Sequence, residues 1–407
     1  MTPPVSIVIV SRDRPAALMR CLTGVAQLDY APFEVIVVAC PAGADTALAR
    51  PDAATIKLIR YDEANISVAR NLGIAASAGE IVAFIDDDAV PEPLWLRHLT
   101  GPFSDPQIAC AGGYVIGRNG ISFQWTARSV DRTGTAHPLA LTGDAPVVPA
   151  PPKGHAVKTE GTNMAVRRTV LAALGGFDPA FRFYLDETDL NLRLAAAGHH
   201  TALVPLAQVH HGFAESPRRN RDRSPRDLTE IAASQMVFLR KHCPEPDRDT
   251  AWRAFEAGQR ARLLRFLQRG PLDPLDVARL MRGLRRGAKD GIARAFGATP
   301  ALPAPQQRFL PYPGRPDAPR LRLGGRPWQA ARLRAKAAEA ASDGAIVSLF
   351  LFAPSARRHR VAFTSEGIWQ QSGGLFGQSL RNGPAIRMRR FSSRLSSEIM
   401  RVQKVRG

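Results

Sequence analysis

Through the first two hundred residues the apolar positions fall into short β-branched runs separated by amphipathic stretches. Residues 5–10 (VSIVIV), 34–39 (EVIVVA), 56–60 (IKLIR) and 81–85 (IVAFI) are mostly continuous in apolar character rather than alternating. Such runs suit parallel strands buried on both faces. Between the first two, Leu18, Leu22, Val25 and Leu28 give a helix one apolar face, with Asp13 and Pro15 as its start. A second helix is predicted over 68–76. Strand and helix alternate, so the fold class is α/β with a mostly parallel central sheet.

Periodicity is lost from 117 to 158, where Gly, Pro and Thr accumulate and 146–152 is Pro-rich, which predicts a long loop or lid. Order returns at 161–167, followed by a helix near Thr169, a segment at 176–184, a helix over 187–197 ended by Gly198, and a strand-like stretch at 201–211. A first domain is expected over 1–215. The segment 216–226 (SPRRNRDRSPR) reads as a basic linker into a helical extension over 216–299. There Val277, Leu280, Met281 and Leu284 share one face of a helix started by Asp273 and Pro274. The remainder, 300–407, opens Pro-rich and mixes a helix at 329–341 with short strands at 346–352 and 360–363. No internal repeat is evident.

With 407 residues and 45% hydrophobic content, the chain suits one large core with additions. Cys21, Cys40, Cys110 and Cys243 lie far apart without a C-x-x-C pair, which argues against a zinc knuckle or disulfide framework and for a reducing compartment. No apolar run approaches membrane-spanning length and no basic leader precedes the first strand, so a soluble or peripheral cytoplasmic protein is expected. The net charge of +19 is uneven: residues 1–215 hold 17 Lys and Arg against 21 Asp and Glu, and residues 216–407 hold 38 against 15. That basic half suits nucleic acid, an anionic membrane face, a charged glycan, or simply water.

The candidate chemistry begins where the strand at 81–85 runs into Asp86, Asp87 and Asp88. Open α/β sheets bind ligands at the carboxyl ends of their strands. Clustered carboxylates repel one another, a cost that a divalent cation with a taste for oxygen, Mg²⁺ or Mn²⁺, offsets. A plain turn is the alternative reading of such a run.

Three segments, VSIVIVSRDRP, NISVARNLGIAASAGEIVAFIDDD and GGFDPAFRFYLDETDLNLRLAAAG, resemble glycosyltransferase family 2 in order and spacing, over about residues 4–213. The resemblance implies a GT-A type nucleotide-binding sandwich and a nucleoside diphosphate sugar donor. It lines the nucleotide site with Ser11, Arg12 and Asp13, then Asn65, Arg70 and Asn71. Asp86 and Asp88 become the outer members of an acidic metal motif, Asp88 as direct ligand and Asp86 nearer ribose or behind the metal, while Asp87 either joins the nucleotide-sugar site or faces solvent. His211, from a P-x-A-x-V-x-H pattern, completes the metal shell. Glu187 becomes the catalytic base beside Asp186, with Asp189 as base, acceptor ligand or cap, and Asn163 touches sugar or acceptor. The acidic pair usual after the second strand is missing from 38–43 (VACPAG), and Asp45 stands in from a longer loop. Structural readings compete: Asp13 and Asn65 as helix caps, Arg70 as a solvated helix residue, and Asp186 with Asp189 as a capping box.

The reaction implied is an inverting, metal-dependent transfer to a glycan, lipid-linked or other hydroxyl acceptor in polysaccharide or glycoconjugate synthesis. A dinucleotide-dependent oxidoreductase is disfavoured, because Ser11 to Pro15 holds no G-x-G-x-x-G. An inactive module binding nucleic acid or membrane through its basic half is the other alternative; the intact acidic motifs of the first half argue against it, and nucleic acid is not the expected partner. Donor, acceptor and oligomeric state are not written in residue type.

Overall fold

The computed structural model describes all residues except 1, 213–217, 221, 298–299 and 306, so the expected boundary at 215/216 lies outside the described residues. The first unit runs β1 (Val5–Ser11), α1 (Pro15–Val25), β2 (Phe33–Ala39), α2 (Pro41–Leu48), β3 (Ile56–Arg60), α3 (Ile66–Ala76), β4 (Ile81–Asp86), β5 (Ala89–Pro91) and α4 (Trp95–Thr100). It continues with β6 (Ile108–Ile116), β7 (Phe123–Trp125), β8 (Arg128–Val130), β9 (Ala136–Pro138), β10 (Ala156–Val157), β11 (Met164–Arg167), α5 (Arg168–Ala173), α6 (Asp186–Ala196) and β12 (His200–His211).

One sheet has the order β3-β2-β1-β4-β11-β6-β12-β5, with β7 on β6. The first four strands are parallel, while β11 runs antiparallel to both β4 and β6. The β-branched runs bury both faces as expected: Ile7 and Ile9 meet Leu18 and Leu22 on one side, and Val8 and Phe84 meet Ala69 and Ile74 on the other. Gly73 lets α3 close onto β1, since a Cβ there would lie 2.4 Å from Val8. Pairing of Ser11 with Ala39 and of Val10 with Asp86 brings three strand ends to one edge. The segment 117–158 is not a structureless lid: besides β7 it holds a three-stranded sheet, β10-β8-β9.

Three helices follow, α7 (Thr229–His242), α8 (Glu245–Gln268) and α9 (Pro274–Ala293). Leu228, Ala232, Leu263, Leu280 and Leu284 form their shared core, and Phe238 carries α7 onto Phe181 of the first unit. Asp273 caps α9 through a reciprocal capping box with Asp276, as the sequence predicts. The Pro-rich segment then returns over the first unit, where the Leu310 amide donates to Glu34 at 2.9 Å and Tyr312 packs on Phe33.

The last unit comprises β13 (Arg320–Gly325), α10 (Ala330–Ser342), β14 (Ile346–Ala353), β15 (Arg360–Phe363), β16 (Trp369–Gly374) and α11 (Phe391–Arg406). Its sheet order is β13-β14-β16-β15, parallel except for β15. It is locked to the first unit by buried polar pairs. Arg406 grips Glu92 with two hydrogen bonds of 2.6 and 2.8 Å and lies over the Trp369 ring, whose indole donates to Gln27 at 3.1 Å.

Candidate active site

At the end of β4 the chain turns, and the alternation of faces along a strand ends with it. Asp87 therefore does not face solvent as expected but is fully buried. Ser11 Oγ donates to its Oδ2 at 2.7 Å, and Arg14 lies 2.5 Å from Oδ1. Burial, reinforced by the charges of Asp88 and Asp86, pushes the Asp87 carboxyl up to about 7 against the pull of Arg14 and Ser11. Arg14 also reaches Asp88, at 3.2 Å.

Asp86 and Asp88 converge on His211, which strand β12 delivers to the same edge. His211 Nε2 stands 3.1 Å from Asp88 Oδ1 and 4.0 Å from Asp86 Oδ2. Its Nδ1 is 3.0 Å from Gln124 Oε1, and the ring leans on Trp125. With Nδ1–H donating to Gln124, Nε2 offers a lone pair to the acidic side, the arrangement typical of metal-ligating imidazoles. One ligand atom from each of the three residues falls within 4.8 Å of the others. Two carboxylates and an imidazole form a mixed oxygen and nitrogen donor set that fits Mn²⁺ well and Mg²⁺ through its carboxylates.

Arg70 joins this cluster to the second acidic motif. It is buried rather than solvated, paired with Asp186 and 3.4 Å from Asp86. Phe84 and Phe177 flank its guanidinium, and Gly161 leaves it room, since a Cβ there would lie 2.3 Å from its Nη2. Glu187 follows Asp186 on the first turn of α6, where Lys158 Nζ donates to it at 3.0 Å. Burial opposes its ionisation, but Lys158 and Arg70 outweigh burial and hold Glu187 well below the usual glutamate range. Burial and the Glu187 charge push Asp186 up against Arg70. Lys158 also lies 3.5 Å from Glu160, which Arg128 contacts in turn. The charges thus alternate from Arg128 through Glu160, Lys158 and the Asp186–Glu187 pair to Arg70 and Asp86.

The remaining expected residues divide. Arg12 and Asp13 are exposed at the β1 end, Arg12 paired with Asp62 at 3.3 Å. Asp13 is not a cap: it has φ +58° and Arg14 occupies the cap position of α1. Asp45 lies on α2 rather than in a loop, largely exposed and 3.6 Å from Arg60. Asn65 does cap α3, accepting from the Val68 amide at 3.2 Å.

Three expected site residues have their side chains engaged by protein. Asn71 exchanges two hydrogen bonds with the Phe177 backbone, at 2.7 and 2.8 Å. Asn163, fully buried, accepts from the Trp95 indole and donates to the Tyr114 and Ala207 carbonyls, so its amide is turned to protein. Asp189 is fully buried and 2.8 Å from Arg193, one turn further along α6, and 2.8 Å from each of Lys241 and His242, which tie α6 to α7. Burial works against that carboxylate, yet His242, Arg193 and Lys241 hold it below the usual range. It is neither free to act as base nor a cap, because α6 begins after Leu185 without a side-chain cap.

Sequence reasoning missed Arg14, Lys158 and Arg219, which is close enough to Asp88 to feel its charge. Arg223, read with Arg219 as part of a basic linker, lines a shallow pocket with Arg118, Gln124 and Trp125. Burial lowers Arg219, the charges of Arg223, Arg14 and Arg118 add to that, and Asp88 opposes it. The R-D-R-P string at 12–15 was a visible signal for Arg14; for Arg219 and Arg223 only the density of arginine was.

A mostly parallel α/β sheet with an acidic cluster on its carboxyl edge and a second acidic motif across from it defines a GT-A type glycosyltransferase domain. Residues 3–228 match the model of glycosyltransferase like family 2, and the chain belongs to that family. It is 29% identical over 238 residues to the O-antigen biosynthesis protein RfbC of Myxococcus xanthus, covering 55% of this chain and 18% of that one. It is 29% identical over 216 residues to the pre-mycofactocin glycosyltransferase of Mycobacterium tuberculosis, covering 51% and 42%. The chain thus spans less than half the length of these two relatives. Among solved structures, the mannosyltransferase PcManGT of Pyrobaculum calidifontis in complex with GDP-Man and Mn²⁺ aligns with TM-score 0.42 and 16% identity, over 72% of this chain and 88% of that one.

Proposed function

We propose that this chain transfers a sugar from a nucleoside diphosphate sugar to a hydroxyl of a glycan or lipid-linked acceptor, with inversion at the anomeric carbon, in polysaccharide or glycoconjugate synthesis. The observation that carries this reading is the link through Arg70, which joins Asp186, the neighbour of Glu187 on α6, to an acidic cluster able to take a cation. Glu187 takes the proton of the acceptor hydroxyl as its oxygen forms a bond to the anomeric carbon. The bond from that carbon to the diphosphate breaks on the opposite face, and its electrons leave with the nucleoside diphosphate. Arg219, Arg223 and Arg118 offset the charge gathered there. Asp86, Asp88 and His211 would hold Mn²⁺ or Mg²⁺; when bound, that cation supplies Lewis-acid neutralisation of the diphosphate. Ser11, Arg12, Asp13 and Asp45 lie at the nucleoside end.

The basic second half suits docking on the anionic cytoplasmic face of a membrane. The exposed Leu275 and the exposed residues Arg279, Arg282, Arg286 and Lys289 share one face of α9. No helix among the described residues is long and apolar enough to cross a membrane.

Calorimetry with Mn²⁺ and a panel of nucleoside diphosphates and their sugars tests the reading. Binding is expected to require the cation and to weaken about tenfold or more in Asp88→Asn and in His211→Ala. Cation-independent binding that both variants leave unchanged would remove the metal assignment. Flotation with anionic liposomes tests the docking face, and unchanged flotation of an Arg279→Glu, Arg282→Glu, Arg286→Glu variant would refute it.

A further inference from the structure

A cleft of about 990 Å³ opens between the 131–135 turn, residues 153–155 and helix α8, and Tyr184 borders it. Ala251, Ala254, Phe255, Gly258 and Gln259 line it from one face of α8. Their spacing of three and four residues stacks them on one side of the helix, and the three small ones leave the volume open. The lining joins two aromatic rings, Tyr184 and Phe255, to amide and hydroxyl groups such as Gln235, Gln259 and Thr250. Asp131 and Asp247 balance Arg132 and Lys153, so the cleft has no strong preference for a polyanion. Rings that accept flat C–H faces, edged by neutral hydrogen-bonding groups, form a surface suited to sugars.

Tyr184 is held there by an unusual backbone. Tyr184 and Leu185 have φ +76° and +67°, a left-handed conformation that bulky residues rarely adopt. Leu185 turns into the core with Phe181 and Phe238, which keeps Tyr184 partly exposed at the rim. Such strain persists only where the surroundings impose it, and it clusters at functional sites. The next two residues are Asp186 and Glu187. Tyr184, at the rim of the cleft, therefore precedes Glu187 by three residues, and its phenol lies within reach of the charges of Lys158 and Glu187.

We propose that this cleft binds the acceptor as a neutral saccharide, with Tyr184 stacked on the sugar whose hydroxyl meets Glu187. The assignment rests on the transferase reading and names its acceptor class. The test uses the full chain on an array of neutral hexose, deoxyhexose and N-acetylhexosamine oligosaccharides printed beside phosphorylated ones. Mn²⁺-dependent nucleoside diphosphate binding is measured on the same preparations. Neutral saccharides are expected to bind. Their affinity should fall about tenfold in Tyr184→Ala, and as far in Ala254→Trp, which fills the cleft from an exposed helix position. Tyr184→Phe should stay within about threefold, because the ring is kept. Binding of phosphorylated saccharides alone, no saccharide binding, or equal binding by wild type and Tyr184→Ala would overturn the cleft while intact nucleotide binding left the transferase reading standing. Saccharide binding without any nucleotide response would overturn the transferase reading instead.

Discussion

Glu187 and Asp189 stand two residues apart on α6, and removing the charge from each should have opposite consequences. In Glu187→Gln the proton acceptor is lost, which costs about 10²–10⁴ in turnover, or about 3–5 kcal/mol in the barrier. Folding should lose less than in the Asp189 variant, because Lys158 keeps Glu160 at 3.5 Å and the Thr188 hydroxyl at 2.9 Å when the Glu187 charge is gone; a loss of about 1–2 kcal/mol is expected. In Asp189→Asn the Arg193 guanidinium, the Lys241 ammonium and the His242 ring lose their shared carboxylate, at a cost of about 3–5 kcal/mol in stability. Turnover per folded molecule should survive. The Asp189 carboxyl is held down in the folded state, so its contribution is complete above the ordinary carboxylate range and is lost as pH falls through the depressed value. The stability gap between wild type and Asp189→Asn should therefore narrow in acid. Urea unfolding followed by circular dichroism gives stability, and nucleoside diphosphate release at saturating Mn²⁺ gives turnover. Turnover by Glu187→Gln within tenfold of wild type would refute the base assignment. A stable Asp189→Asn protein without turnover would return Asp189 to the chemistry.

Two further outcomes test the scaffold. Glu92 is fully buried, and although burial opposes its ionisation, Arg406 and His210 hold it at about 2 rather than 4.5, a stabilisation of about 3 kcal/mol above that range. Arg406→Met should lose about that much at pH 7 by urea unfolding, and the gap should shrink as pH falls from 4.5 towards 2; a constant gap would refute the pairing. Gly161→Ala places a methyl against the Arg70 guanidinium and should cost about 1–3 kcal/mol by the same assay while lowering turnover. An unchanged variant would show that Arg70 has room to spare.

Much of the catalytic sheet was legible because its strands are buried on both faces and announce themselves as β-branched runs. The gathering of Asp86, Asp88 and His211 was legible too, since Asp86 and His211 end strands and Asp88 lies in the turn that follows Asp86. The Asp87 orientation was not: period-two reasoning holds along a strand and stops at its turn. Asn163 and Asn71 show the limit from the other side, because a motif position cannot say whether an amide faces a ligand or backbone. Arg14 and Lys158 act through partners distant in sequence, which no local pattern encodes. In the last unit the alternating Arg and Leu of 320–323 marked β13 yet passed unread, and Trp369 made sense only once Gln27 stood beside it.

The row of alternating charges from Arg128 to Asp86 constrains how such a sequence can diverge. Each member is neutralised by neighbours on both sides, so a single replacement strands a buried charge, and only concerted pairs pass without penalty. Donor and acceptor pockets can be rebuilt by exchanging surrounding loops, but the row between them must be inherited whole. Recombination that cuts between Lys158 and Asp186 would join halves tuned to different neighbours.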